Sequence, residues 1–200
     1  MKALLVFALS LLWMNPAVAE SGLQQQLAAI VSLSGSFEQR VLDDSGVELE
    51  VSNGRFKVLQ PGYFYWAIDN PDAQLLIANG KTLVHYDAEL ETATERGLDE
   101  QQSSSPLAIF ADGGAGLEAH YEVSVTDGGG YLLKPRVSDG SFVEVELRLN
   151  ADVPGSMRVL DALGNTTQIE FSEVLLNPPL EPAEFTFVPP DGVDFYRYEQ

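Results

Sequence analysis

The sequence predicts a mainly β fold with short α-helices: a single curved antiparallel sheet that forms an incomplete, half-open β-barrel covered by helices. From Phe37 onward, apolar and polar residues alternate as in strands with one buried face. Glycine, proline and Asx residues separate about ten such runs at short intervals, which favours hairpins over helical crossovers. A sheet with so many strands must curl, and it then resembles a partial barrel.

The N-terminal residues predict a cleavable signal peptide over 1–19 and one domain over 20–200. Lys2 supplies a positive charge, residues 3–14 are almost all apolar, and Ala17 and Ala19 form a small-x-small cleavage pattern. A membrane anchor is the alternative, but about a dozen apolar residues fall short of the roughly 20 that a spanning helix needs. We therefore expect export to the periplasm without stable membrane insertion.

Two short helices are predicted. Ser21 and Gln24 match a capping box that starts the first helix, whose apolar residues follow at helical spacing. The second helix begins at the serines and proline of 103–106, continues through an apolar stretch, and ends at the glycine pair 113–114. Both helices are expected to cover the concave side of the sheet.

The strands follow from alternation and turn residues. Val47, Leu49 and Val51 alternate with glutamates, which predicts a strand with one buried face, and Asn79-Gly80 is typical of a hairpin turn. The other predicted strands are 56–59, 63–68, 74–78, 81–86, 121–126, 131–134, 142–149, 157–160, 166–174 and 185–188. The bulky side chains expected on the inward face are Phe64, Trp66, Ile68, Leu75, Ile77, Val143, Val145, Leu147 and Phe171. Such a concavity under two short helices is compatible with an apolar cavity.

Composition excludes several classes of function. The 200 residues carry 11 Lys and Arg against 30 Asp and Glu, a formal charge of -19, so no nucleic-acid partner is expected. The absence of cysteine excludes disulfides, thiolate metal ligands and a lipid-modified cysteine. We expect no cofactor and no metal.

Catalytic motifs are also missing. His85 and His120 are the two histidines, and no nucleophile elbow, zinc-binding His pair or phosphate-binding glycine loop accompanies them. The pairs Glu48/Glu50 and Glu144/Glu146 resemble the two acids of a glycosidase, but residues two apart on a strand are simply its solvated side. The sequence therefore predicts a protein that is not an enzyme.

Five segments, in this order and spacing, are similar to those of one family. They are "SGSFEQRVLDDSG" at 34–46, "GRFKVLQPGYFYW" at 54–66, "NGKTLVHYDAELETAT" at 79–94, "SPLAIFA" at 105–111 and "FTFVPPDGVD" at 185–194. With them the chain resembles the periplasmic carriers of outer-membrane lipoproteins, the LolA family. The resemblance implies a curved, incomplete barrel whose cavity holds the acyl chains of lipoproteins. It also implies two partners, an inner-membrane ABC transporter that releases lipoproteins and an outer-membrane receptor.

The resemblance assigns residues to this cavity and its cover. The implied acyl-chain lining is Leu27, Ile30, Phe37, Val41, Phe64, Trp66, Ile68 and Ile77, and the implied lid helix carries Leu107, Ile109 and Phe110. At the latch position most carriers have arginine, whereas this chain has Gln60, which lacks the charge and the five-donor fork. We therefore expect weaker or different control of the lid.

Three other functions are compatible with these residues. A lipid-sensing periplasmic module of the same fold would need a further partner-binding domain. A carrier of another amphiphile has the same sequence features, because an apolar cavity does not encode a head group. An uncharacterised enzyme would depend on His85 or His120.

Overall fold

The computed structural model describes residues 16–98, 108–137 and 142–198. In this part of the chain the helices are α1 (Pro16–Ala28), α2 (Ala108–Ala111) and α3 (Leu117–His120), with a 3₁₀ turn at Pro182–Phe185. The strands are β1 (Ser32–Leu42), β2 (Glu48–Leu59), β3 (Tyr63–Asn70), β4 (Gln74–Asn79), β5 (Thr82–Asp87), β6 (Thr92–Gly97), β7 (Tyr121–Val125), β8 (Tyr131–Pro135), β9 (Glu144–Asn150), β10 (Val153–Leu160), β11 (Thr166–Leu176) and β12 (Asp194–Tyr198).

All of these strands form one open, curved sheet in the order β12-β6-β5-β4-β3-β2-β1-β11-β10-β9-β8-β7. Neighbours are antiparallel except for β12, which pairs in parallel with β6 at one edge. The first strand pairs with the eleventh, so the middle of the sheet joins the two ends of the chain. The predicted mainly β, single-sheet fold is confirmed, and the parallel edge strand and β6 itself are additions that the sequence pattern did not predict.

The register of β3 against β4 decides which side chains face the helices. Phe64 lies opposite Ala78, and Trp66 lies opposite Leu76, so these four residues share the concave face. Leu75 and Ile77 therefore point to the convex face, and their predicted inward position is wrong. Val143, also predicted inward, is 41% exposed.

The convex face of β3–β5 is covered by the C-terminal segment. Phe185 is buried there against Tyr63, in a second apolar cluster with Ile77. The predicted strand 185–188 is wrong, because Pro182 and the reciprocal hydrogen bonds between Glu181 and Glu184 start a 3₁₀ turn instead. The C-terminal segment thus covers the apolar strands β4 and β5 on their convex face.

The β1–β2 hairpin extends beyond the covered part of the sheet. Val47 and Leu49 are 58% and 61% exposed, and Val51 is also exposed, so their predicted buried face is wrong. The reason is topological, because β3 pairs with β2 only from Asn53 onward and nothing in the described residues covers this end.

Helix α1 begins before the predicted cap. It spans Pro16–Ala28, so Ser21 lies inside the helix instead of capping it. Its apolar side is nevertheless the predicted one, since Leu23, Leu27 and the following Ile30 are almost completely buried. Among the described residues, no helix is long and apolar enough to span a bilayer.

Candidate functional site: the concave face

An aromatic cluster forms the centre of the concave face. The ring of Trp66 on β3 stacks on Phe37 of β1, with centroids 3.6 Å apart and planes inclined by 17°. Phe56, Phe64 and Phe171 surround it at centroid distances of 6.1, 6.2 and 6.5 Å. Strands from both ends of the chain therefore contribute to one continuous apolar surface.

Two glycines allow these rings to lie close to the strands. A Cβ atom on Gly35 would stand 2.9 Å from the ring of Phe56, and one on Gly54 would stand 2.9 Å from the ring of Phe37. Each ring thus occupies the space above a glycine of the neighbouring strand, and a side chain there would collide with it. The close packing of the aromatic rings on the strands therefore depends on both glycines.

The helices pack over one half of this surface, which we call the lidded half. Leu27 of α1, Ile109 and Phe110 of α2 and Leu117 of α3 join the aromatic cluster in a single buried core. Phe110 meets Phe171 edge-on, with centroids 6.2 Å apart. The space that remains between α2 and strands β8–β10 has no room for a water-sized molecule. The lidded half is therefore tightly closed.

Gln60 lies where the two covering helices meet. Its side-chain Nε2 donates hydrogen bonds to the carbonyl oxygen of Leu27, at 3.2 Å, and to that of Phe110, at 3.0 Å. Gly113, with a positive φ of 60°, lies against the same amide, and a Cβ there would collide with it. The neutral amide thus connects α1, α2 and the start of β3 without a charged fork.

Further polar contacts hold α1 across the sheet. Gln26 donates to Asp152 at 2.7 Å and accepts from the Tyr131 hydroxyl at 2.8 Å, which ties the helix to β8 and to the β9–β10 turn. Asn177 donates to the carbonyl of Ala29 and accepts from the backbone of Val31, which closes the helix end. These contacts fix α1 more firmly than α2, whose link to the sheet is Gln60 together with a Gly62 to Ala111 backbone bond.

Asp112 adds a titratable group at the end of α2. The residue is exposed, but its neighbours remove part of the solvent around its carboxyl group, and this desolvation raises its pKa. The nearby His120 opposes the effect by favouring the ionised carboxylate. The ionised form is therefore less compatible with the closed arrangement than the protonated form.

The other half of the concave face is an open groove of about 660 Å³ over β3–β6 and β12. Its floor is apolar and continues directly from Trp66, and its rim is polar. The lining residues are Trp66, Ile68, Gln74, Leu76, Leu83, His85, Thr94, Arg96 and Tyr198. This volume lies within the roughly 300–1,000 Å³ that small-molecule sites usually have.

Most of the predicted cavity residues come together. Leu27, Ile30, Phe37, Phe64, Trp66, Ile109 and Phe110 belong to one apolar cluster, with Ile68 packed against it. Val41 is half-buried towards the exposed hairpin and lies outside this cluster. The predicted position of Ile77 in the cavity is wrong, because its side chain faces the convex side under Phe185. Leu107 lies outside the described residues.

The sequence pattern missed six residues of the groove: Gln74, Leu76, Leu83, Thr94, Arg96 and Tyr198. Leu76 follows from the hairpin register once Trp66 is placed. Arg96 and Tyr198 lie opposite each other in the parallel β6–β12 pair. A local sequence pattern does not predict this pairing.

The candidate catalytic groups are dispersed. His85 lies exposed on the groove rim with Nε2 3.3 Å from Gln74 Oε1. Glu144 and Glu146 lie on β9 in ion pairs with Arg158 and Arg148, and the hydrogen bond from Arg148 lowers the pKa of Glu146. Within the described ranges, no three His, Asp or Glu side chains are grouped to hold a metal ion.

The fold of this chain has counterparts among solved structures. An uncharacterized conserved protein from Thermus thermophilus superposes with a TM-score of 0.55 at 14% identity, covering 92% of this chain and all of the other. A putative outer membrane lipoprotein-sorting protein domain from Vibrio parahaemolyticus gives 0.50 at 12% identity, covering 86% and 97%. At such low identity these likenesses concern the fold alone.

Sequence relatives are closer. The outer-membrane lipoprotein carrier protein of Bordetella avium is 38% identical over 199 residues, covering 95% of both chains. That of Azotobacter vinelandii is 32% identical over 188 residues, covering 90% of this chain and 91% of the relative. The family described as "Outer membrane lipoprotein carrier protein LolA" matches residues 28–188. Since this match spans most of the sequence, the chain belongs to the LolA family of outer membrane lipoprotein carrier proteins.

Proposed function

We propose that this protein carries outer-membrane lipoproteins through the periplasm by shielding their acyl chains on its concave face. The observation that carries the proposal is the continuous apolar surface that runs from the lidded half through Trp66 into the open groove. Export by the signal peptide over 1–19 would place the mature chain in that compartment.

The physical need for such a surface is large. Each acyl CH₂ group removed from water contributes about 0.8 kcal/mol, so one chain of ~16 carbons represents on the order of 10 kcal/mol. A lipoprotein does not leave a membrane unassisted against such a cost. A carrier needs an apolar surface of comparable size, without directional hydrogen bonds that would hold only one cargo.

A carrier must also release its cargo, and the way the lid is held suits that need. In the closed arrangement the helices fill the lidded half, so acyl chains can enter it only when the lid moves. The two hydrogen bonds from Gln60 are neutral, and each such bond is worth about 0.5–1.5 kcal/mol net. Cargo that replaces the contacts of Ile109 and Phe110 can offset this amount.

The proposal includes two partners, an inner-membrane ABC transporter that loads the carrier and an outer-membrane receptor that unloads it. The acidic chain, with its charge of -19, is repelled from anionic lipid headgroups, which favours exchange with proteins over adsorption to membranes.

A release assay tests the proposal. Purified 20–200 is added to spheroplasts that are making lipoproteins, and acylated lipoprotein is measured in the soluble fraction. We expect release by the parent and loss of release in Trp66→Glu, which puts a charge in the aromatic cluster. Because Trp66 is buried, Leu76→Glu at the half-buried groove floor provides a second variant that retains the core packing.

The matched control is Leu163→Glu, which adds the same charge at a turn position that is 82% exposed. Release should equal that of the parent in this variant. If the folded parent protein releases no lipoprotein in the presence of a transporter from its own organism, this result would contradict the carrier function. Release that survives Leu76→Glu and Trp66→Glu alike would show that the concave face is not the binding surface.

A further inference from the structure

The open groove carries a positive charge in a strongly acidic protein. Among the lining residues that the structure describes, Arg96 is the one Lys or Arg, and none is an aspartate or glutamate. The strand register places Arg96 on the concave face. Arg96 lies opposite Leu83 on β5 and beside Tyr198 on β12, and all three residues are on that face. One end of an apolar groove is therefore marked by a guanidinium group.

Arg96 differs from most cations of this chain. Within the described residues, cationic side chains in ion pairs with carboxylates include Arg40, Arg55, Lys57, Lys134, Arg148, Arg158 and Arg197. Arg96 is exposed and has no carboxylate partner within the ranges that the structure describes. In a chain with 30 acidic residues, an arginine without a partner beside a groove leaves its five N–H donors available to a ligand.

Neighbouring groups on the rim add further donors. Gln74 Oε1 lies 3.3 Å from His85 Nε2. Because this contact uses the amide oxygen, the amide nitrogen of Gln74 can donate hydrogen bonds to another acceptor. The hydroxyls of Thr94 and Tyr198 lie on the same lining, and Tyr198 is 65% exposed. A rim of donors around one positive charge is complementary to anionic oxygen atoms.

We propose that the open groove binds a long-chain carboxylate, an amphiphile with one hydrocarbon chain and one anionic head group. The hydrocarbon chain lies on Leu76, Leu83 and Trp66, and the carboxylate binds Arg96. This inference rests on the proposed function, because it takes the concave face as the lipid-binding surface. It adds a class of ligand, since the acyl chains of a lipoprotein end in neutral esters and amides.

The size of the groove favours a ligand with one hydrocarbon chain. The volume of about 660 Å³ is typical of a site for one small ligand. The space between α2 and strands β8–β10 on the lidded half has no room for a water-sized molecule while the helices are packed on the sheet. A ligand with one chain and one anionic group therefore fits this closed form without movement of the lid.

The protein provides its own reporter for the test. Trp66 is the one tryptophan in the sequence from 20 to 200, and it lines the groove. The probes are cis-parinarate, a fluorescent fatty acid that accepts energy from tryptophan, and its methyl ester, which has the same chain without the charge. Titration of purified 20–200 with each probe gives two dissociation constants from energy transfer.

We expect the acid to bind the parent about fivefold more tightly than the ester, the size of a partly exposed ion pair. Arg96→Gln should remove this difference and leave ester binding unchanged. Arg55→Gln is the matched control, because it removes the same charge from an ion pair with Asp69 on the convex face. It should retain the preference for the acid.

Equal binding of acid and ester to the parent, or a preference that survives in Arg96→Gln, would overturn the assignment of the anionic head while leaving the proposed function intact. Failure of both probes to bind would overturn the inference and also contradict the concave face as a lipid-binding surface, so the two failures are distinguishable.

Discussion

The lidded half and the open groove are made from the same kind of strand but differ in what lies above them. On the lidded half, Leu27, Phe110 and Leu117 of the helices bury the sheet almost completely. On the groove side, Leu76 and Leu83 stay partly exposed, and polar residues surround them. The comparison teaches that alternation sets which side chains face inward, whereas the helices decide which of them stabilise the fold and which stay available to a ligand.

Truncation in each half should separate these roles most clearly. Phe37→Ala removes a ring that stacks on Trp66 and is 2% exposed, so we expect a loss of about 3–5 kcal/mol in the free energy of unfolding. Leu83→Ala, at the partly exposed groove floor, should cost about 1–2 kcal/mol. Urea unfolding of 20–200 measures both values, and equal losses would mean that the halves do not differ in their contribution to stability.

Leu83→Ala should also affect ligand binding. It should weaken binding of cis-parinarate by about threefold, the value of roughly one buried CH₂ group lost from the contact, although its cost in stability is the smaller of the two. Titration by Trp66 fluorescence measures the effect. A Leu83→Ala variant with parent affinity would exclude that part of the groove from the contact.

Substitutions of Gln60 should change how firmly helix α2 is held on the sheet, at the boundary between the lidded half and the open groove. Gln60→Ala leaves the carbonyl groups of Leu27 and Phe110 without these partners, so we expect a loss of about 1–2 kcal/mol and faster amide exchange in residues 109–111. Gln60→Arg should be tolerated and should slow this exchange, because the guanidinium offers five donors.

Hydrogen exchange with mass spectrometry measures both, with the amides of β1 as the internal reference. Exchange in the α2 region that is unchanged or faster in Gln60→Arg would contradict a tighter closed form. Exchange that is unchanged in Gln60→Ala would mean that packing of Phe110 alone holds the lid.

The smallest effect is expected at Asp112. Its raised pKa means that the closed form binds the proton more tightly than the unfolded chain does, so this stabilisation is present at low pH and is lost as the pH rises through the raised pKa. Asp112→Asn should therefore raise the Tm slightly at neutral pH, by less than about 2 °C, with no gain in acid. A gain of the same size at both pH values would exclude titration of this carboxyl group as the cause.

The sequence predicted the elements of the lidded half better than those of the groove. Residues such as Leu27, Phe37 and Trp66 belong to regular patterns in which every second or every third to fourth position is apolar, and the structure buries them together. The resemblance to the family added Ile109 and Phe110 as lid residues, and both pack on the same core.

The remaining differences have physical causes that local patterns do not contain. The run 75–78 is apolar throughout because one face of β4 packs under the C-terminal segment and the other forms the apolar floor of the groove, so alternation could not tell Leu76 from Ile77. Exposure of the β1–β2 hairpin depends on where β3 begins to pair, and the C-terminal strand is Asp194–Tyr198, which lies beyond the predicted 185–188. Arg96 required the parallel β6–β12 register, which is set by tertiary structure.

The pairing of β1 with β11 has a consequence for how the protein folds. Strands β1–β6 follow one another as local hairpins, and β7–β11 do the same, but the two groups join only when the eleventh strand reaches the first. Contacts between such distant parts of a chain slow folding, because the intervening loop must close before they form. Until β11 pairs with it, β1 has a neighbour on one edge, so Phe37 and its neighbours, which the completed sheet buries, stay accessible to solvent.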